Sequence, residues 1–243
     1  MPFSSIIYCH YSKCDDFGET AGVGINRSLV MKESINSLIQ TTDYPSELIV
    51  IDNGGNPDDT DFLLDLVRQG KINTLIRNKE NMHFAYAWNQ GAKVANGDYL
   101  VFTCNDILFG PRWLSTTIGL LEKYPEAFGK KLIASPICIS SQDNRWYHLG
   151  HIDGNRVNKR AGSNCFVIKR KDFDKLGFFR HHRIAGSKWY DNLKQQGYAV
   201  IVPPLNLVLD IGLRRGVNFT IPIKVEETLL TGAKVDFTDP EQL

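Results

Sequence analysis

The chain has 243 residues, 42% hydrophobic and 23% charged, with a formal net charge of +1; this is ordinary globular composition and enough material for one large α/β domain. Five cysteines, with Cys9 and Cys14 spaced too widely for a CxxC pair, give neither a disulfide framework nor an expected zinc site. The opening MPFSSIIYCHYS lacks a basic n-region and a long apolar core, and no apolar run approaches the roughly 18 residues of a membrane span, so a cytoplasmic protein is expected.

A first strand is expected over 3–10. A polar, Gly-containing segment over 12–24 follows, long for a connection in a compact domain. A helix over 26–41 carries Leu29, Val30, Ile35, Leu38 and Ile39 near helical spacing and is broken by Asp43-Tyr44-Pro45. The apolar run 47–52 reads as a buried strand ending in Asp52 and the turn Asn53-Gly54-Gly55-Asn56-Pro57. A helix over 60–69, a strand over 72–77 and a helix over 85–95 come next. Ala85, Ala87, Ala92 and Ala95 keep the last slim enough to pack close to a sheet, and Gly97 is expected to end it in the left-handed conformation. The run 99–103 is expected as a strand buried on both faces, ending in Cys104-Asn105-Asp106. Strands alternating with helices predict a parallel sheet of βαβ units. Asp52 and Asp106 then fall at carboxyl ends of strands, where open α/β sheets bind ligands.

Beyond Trp113 the pattern predicts a helix over 114–123 and a strand over 132–139. It then predicts a loop over 142–160 carrying Trp146, His148 and His151. Gly150 argues against a helix there, so the two histidines read as polar surface groups rather than ligands. A further strand is expected over 198–204. Between 123 and 224 there are 18 Lys and Arg against 7 Asp and Glu, an excess of eleven positive charges, which fits an anionic partner or a solvated face.

Asp52 admits two readings. Its carboxylate, with Asn53 offering donor and acceptor, can contact a ligand at the strand end, or Asp-Asn-Gly-Gly closes an Asx turn unaided. The first is preferred because a second strand-end acid lies beside it.

Asn81-x-x-Phe84-Ala85-x-x-x-Asn89-x-Gly91, then Ala95-x-Gly97-Asp98-Tyr99-Leu100, then a strand ending in an acidic motif and Trp113-Leu114, resembles the GT-A-fold nucleotide-sugar glycosyltransferases of the family-2 type. Residues 45–54 and 162–177 are similar to further segments of that family, so the resemblance covers nearly the whole chain. It implies one α/β domain over 1–243 of GT-A (Rossmann-like) fold, a mixed, mostly parallel sheet flanked by helices. Residues 1–113 would form the nucleotide-sugar half, 114–224 the acceptor half and 225–243 a tail.

The activity implied is transfer of a sugar from a nucleotide sugar, a UDP-sugar by preference, to an acceptor hydroxyl, assisted by a divalent metal, Mn2+ or Mg2+. Asp106 would hold the metal, with Asp210 as its second ligand. Asp52, Asn53, Asn81, Asn89, Asn105, Ser163, Asn164 and Arg214 would line the nucleotide-sugar site. Asp191 would be the general base. The sequence departs from the family at Cys104, which takes the first acidic position, at His83, which stands where the family often has Gly, and near Lys188, where the family carries an acid.

The preferred acceptor is a carbohydrate or glycoconjugate. DNA with hydroxylated bases is the alternative, because Lys169, Arg170 and other cations are interleaved with Trp146, Tyr147, His148, His181, His182 and Trp189. An inactive nucleotide-sugar-binding module and a nucleotidyltransferase stay open as further alternatives, the latter weakened by a poor phosphate loop at Lys13.

Overall fold

The computed structural model describes residues 2–12, 27–136, 148–159, 165–179, 185–205 and 207–210. In chain order the elements are β1 (Ser4–His10), α1 (Arg27–Thr41), β2 (Ser46–Asp52), α2 (Pro57–Arg68), β3 (Thr74–Arg77), α3 (Phe84–Val94), β4 (Tyr99–Cys104), β5 (Ile107–Phe109) and α4 (Trp113–Lys123). They continue with β6 (Glu126–Ala127), β7 (Lys130–Ala134), β8 (His148–Ile152), β9 (Asn155–Asn158), β10 (Cys165–Lys169), α5 (Arg170–Leu176), α6 (Ala185–Gln195), β11 (Tyr198–Val202) and β12 (Val208–Asp210).

One ten-stranded sheet runs in the order β3-β2-β1-β4-β10-β7-β11-β9-β8, with β6 on β7. β1–β4 are mutually parallel; β10 is antiparallel to both β4 and β7, and β11 returns parallel to β7. The sheet is therefore mixed and mostly parallel, not a pure βαβ array. Runs such as Ile6-Ile7-Tyr8 and Val101-Phe102 are apolar on both faces because both faces are covered. One face packs on Met31, Ile35 and Leu38 of α1, Leu63 and Leu66 of α2, and Trp113 and Leu121 of α4. The other packs on Trp88 of α3, Phe173 of α5, and Trp189 and Leu193 of α6.

Three expectations are corrected. Gly97 is not left-handed. Its place is a close approach, since a Cβ there would stand 2.5 Å from Ser5 N, and its own N–H donates to Ser5 Oγ at 2.7 Å. The part of 142–160 that is described is not a loop but the hairpin β8–β9, with a register irregularity between His148 and Gly150. Gly150 leaves room for the Phe128 ring, which a Cβ would meet at 2.4 Å. Lastly, Asp210, expected as a second metal ligand beside Asp106 at the strand ends of one parallel sheet, ends a strand outside the main sheet. β12 pairs antiparallel with β5 in a separate two-stranded ribbon. Among the described residues no helix is long and apolar enough to cross a membrane.

Candidate functional site at the carboxyl ends of the parallel strands

The parallel registers align the ends of three strands. His10 of β1 stands beside Asp52 of β2, and Cys9 stands beside Cys104 of β4. The chain leaves β2 in a turn that Asp52 closes. Its Oδ1 accepts from Gly55 N at 2.8 Å and its Oδ2 from Thr60 Oγ1 at 2.7 Å, and the residue is fully buried. Arg77 Nε, on an exposed side chain, lies 3.7 Å from Oδ2. Asp52 is thus an Asx-turn group and not the solvent-reachable acceptor expected from the sequence.

Asn53, also buried, is committed as well. Its Oδ1 accepts from Asn78 Nδ2 and Met82 N, and its Nδ2 donates to Asn81 Oδ1, which in turn accepts from His83 N. Asn53 and Asn81 therefore shape the loop that enters α3. His83 takes φ 64°, ψ 150° at the head of that helix, a conformation that favours glycine.

β4 ends in the two-residue turn Asn105–Asp106, and β5 begins at once. From one side the turn is fixed by Asn105, whose Nδ2 donates to Tyr11 O at 2.9 Å and lies 3.2 Å from His10 Nδ1. From the other it is fixed by the β5–β12 ladder, where Asp210 is the register partner of Ile107, the residue after Asp106. Two acids distant in sequence are so placed at one strand end. Asp106 is half-buried. Its charge reaches down β1: burial first, then Asp106 and Asp52, push the Cys9 thiol up to about 12. Cys9 is therefore an inert core group.

Beneath the turn lies a pair that sequence reasoning missed. His10 Nε2 is 3.5 Å from Asp59 Oδ2, with both side chains fully buried. Burial would raise the Asp59 carboxyl, but His10, Ser12 and Ser28 outweigh it and hold it at about 2. These contacts are long rather than well aligned, since neither Asp59 oxygen has a hydrogen bond of good geometry. The available signal was a histidine closing an otherwise apolar strand.

Residues 114–224 are described more sparsely. Asn89 is buried, and its amide makes two bonds to the backbone of one residue: Nδ2 donates to Phe179 O at 2.8 Å, and Phe179 N donates to Oδ1 at 2.9 Å. It splints α3 to the segment after α5, and both ends of the amide expected to line the nucleotide-sugar site are committed there. Trp189 is buried, 4.8 Å between ring centroids from Phe179, so it is not available to stack on a base. Lys169 pairs with Glu122 at 2.8 Å, and Arg170 Nε donates to Gly97 O. Asp191 is exposed on α6, a helix joined to β11 by the tight turn Gln196–Gly197, so the helix begins near the edge where β4 ends. It sits about 9 Å along the helix from that beginning. Ser163, Asn164 and Arg214, together with Trp146, Tyr147, His181 and His182, lie outside the described residues.

A model of "Glycosyl transferase family 2" matches residues 25–190, more than half of the chain. The chain belongs to that family. Its relatives include Protein CgeD of Bacillus subtilis (strain 168), 24% identical over 86% of this chain and 48% of that protein. Another is a glucosyl-dolichyl phosphate glucuronosyltransferase of Haloferax volcanii, 26% identical over 51% of this chain and 35% of the relative. The chain thus spans about half the length of the first of these relatives and about a third of the second. Two solved structures share the GT-A fold with this family-2 chain. Mannosyltransferase PcManGT from Pyrobaculum calidifontis, in complex with GDP-Man and Mn2+, aligns with TM-score 0.63 and 18% identity over 88% of this chain and 58% of that one. GalNAc-T7 with UDP, GalNAc and Mn2+ aligns with TM-score 0.63 and 14% identity over 91% of this chain and 45% of that one.

The donor set of this family-2 chain fits a hard divalent cation in kind. Carboxylate oxygens are what Mn2+ and Mg2+ take, and the β5–β12 register sets the Asp210 backbone across from Ile107, the residue after Asp106. Among the described residues no group of three or more His, Cys, Asp and Glu side chains is placed to hold a metal. Phosphate oxygens and water would have to complete the shell.

Proposed function

We propose that the chain moves a sugar from a nucleotide sugar, a UDP-sugar, to a hydroxyl of a carbohydrate or glycoconjugate, with Mn2+ or Mg2+ held by Asp106 and Asp210. The observation that carries this reading is the β5–β12 pairing, which sets Asp210 beside the Asn105–Asp106 turn at the end of β4. A bound cation would supply charge neutralisation for the departing nucleoside diphosphate.

The chain's own groups do the rest. The turn closed by Asp52 and the Asn53–Asn81 link would lie beneath the bound donor, with Ser163, Asn164 and Arg214 assigned to the sugar and diphosphate. Residues 1–113 hold the donor, and 114–224 hold the acceptor. Asn89 keeps the two in register through Phe179. Asp191 is assigned to take the proton of the acceptor hydroxyl, which requires the acceptor to reach over the first turns of α6. Asp191→Asn should then leave donor binding unchanged and lower transfer roughly 10²–10⁴-fold.

The uridine preference rests on the likeness of residues 45–54 to the family, so UDP- and GDP-sugars belong in one test. Thermal shifts are measured against a panel of both, with and without Mn2+. A ligand at about 100 times its dissociation constant stabilises by about 2.7 kcal/mol. A Mn2+-dependent shift with a UDP-sugar is expected. No shift with any nucleotide sugar would overturn the reading, and a shift confined to GDP-sugars would replace the base.

A further inference from the structure

The turn that carries Asp106 is tied from below to two groups that touch nothing outside the protein. Tyr11 O can only accept, so the Asn105 group 2.9 Å from it is the amide NH2. The same nitrogen lies 3.2 Å from His10 Nδ1. That ring nitrogen must therefore present its lone pair, which leaves the ring proton on Nε2, the nitrogen facing Asp59 Oδ2 at 3.5 Å. His10 and Asp59 are both fully buried, and neither His10 Nε2 nor the Asp59 oxygens make a well-aligned hydrogen bond elsewhere among the described residues. Gly55 makes the seat: a Cβ there would stand 2.7 Å from His10 Nε2 and 2.9 Å from Asp52 Oδ1.

We propose that His10 and Asp59 are a positioning pair for the metal-bearing turn. Asp59 holds the His10 ring in its Nε2–H form, His10 Nδ1 and the Tyr11 carbonyl hold the Asn105 amide, and the fixed Asn105 holds Asp106 in the pose that receives the cation. The proposal rests on the reading of Asp106 as a metal ligand. It follows the rule that groups behind a ligand set its orientation and change metal affinity by roughly 10–100-fold when removed. An asparagine at 59 can meet Nε2 as donor or acceptor, so it no longer selects the tautomer. If the proton moves to Nδ1, the ring confronts the Asn105 NH2 donor to donor, and the turn must shift.

The test has two readouts, neither of them turnover. Nitrogen-15 NMR of labelled histidine reports the His10 tautomer. Electron paramagnetic resonance of free Mn2+, titrated in the presence of UDP, reports cation affinity. The parent should show His10 in the Nε2–H form. Asp59→Asn should mix the tautomers and weaken Mn2+ binding about 10-fold or more. Asn105→Ala should weaken it similarly, and the double variant no further than either single one, because the two residues act in series. A merely structural defect would add rather than saturate. Should Asp59→Asn fail to fold, Asn105→Ala decides alone, since it is half-buried and leaves the buried pair in place. A parent that binds no Mn2+ overturns the metal reading and this proposal with it. A parent that binds, with either folded single variant binding equally well, overturns the positioning role only, as does a parent His10 protonated at Nδ1.

Discussion

Two acids end neighbouring parallel strands of this molecule, and they behave differently. Asp52, at the end of β2, is fully buried with each oxygen already accepting a hydrogen bond from Gly55 or Thr60. Asp106, just past β4, is half-buried and stands next to the register partner of Asp210. Both satisfy the rule that ligands gather at carboxyl ends of strands. The difference teaches that a strand-end carboxylate fully buried and bonded within its own turn is a structural group, whatever its place in the sheet.

The sharpest way to break that comparison is to neutralise each acid in turn. Asp106→Asn should lower Mn2+-dependent transfer by about 10²–10³-fold, the usual effect of removing one transition-state electrostatic group, and leave the melting temperature nearly unchanged. Transfer at the parent rate would remove Asp106 from the site. Asp52→Ala should do the opposite. It strands a buried Gly55 N–H, costing about 1–3 kcal/mol, and takes from the buried Thr60 hydroxyl its shorter bond, about 1 kcal/mol more, leaving it Asn56 O at 3.2 Å. A loss of roughly 2–4 kcal/mol in denaturant unfolding is therefore expected. A variant as stable as the parent but weak in nucleotide binding would return Asp52 to the solvent-facing role.

What could be read from the chain, and what could not, divides along the same line. The alternation of apolar runs and helical periods gave β1 to β4 and α4 with boundaries a few residues off, because elements buried on both faces announce themselves by composition alone; β5, between them, was not expected. The pairing of β5 with β12 left no trace. Each is three residues long, and they are about a hundred residues apart in the chain. The hairpin β8–β9 was hidden because His148-Leu-Gly-His-Ile lacks alternation and is held by a glycine that seats Phe128. For Asp52 the letters Asp-Asn-Gly-Gly supported both a ligand contact and an Asx turn, and only burial separated them. The commitment of the Asn89 amide to Phe179 depends on a contact between residues 90 positions apart, which no local pattern encodes.

A third acid extends the comparison by pH. Asp59, behind the turn, has its carboxyl lowered from 3.8 to about 2, because its polar neighbours outweigh the effect of burial. A lowered carboxyl stabilises the fold at pH above the unfolded value, and that contribution is lost as pH falls from near 3.8 through about 2. A shift of this size corresponds to about 2 kcal/mol. The stability gap between the parent and Asp59→Asn, measured by urea unfolding, should therefore narrow between about pH 5 and pH 2. A gap that stays constant would mean that Asp59 is not charged in the fold.

The smallest expected effect concerns the residue that departs from the family's acidic motif. Cys104 closes β4, two positions before Asp106, and is half-buried against the face packed by α3. A thiol offers a hard cation little, whereas a carboxylate adds both a preferred oxygen donor and a negative charge. Cys104→Asp should therefore tighten Mn2+ binding about 3–10-fold, in keeping with the dependence of affinity on ligand charge. The gain is modest because two neighbouring carboxylates repel each other when no cation is present, and that repulsion raises the proton affinity of one of them. The tightening should consequently be larger at pH 8 than at pH 6, where a proton competes with the metal. Equal affinity at both pH values would place side chain 104 out of reach of the cation. Weaker binding would mean that the added charge displaces Asp106, so that the turn tolerates one acid and not two.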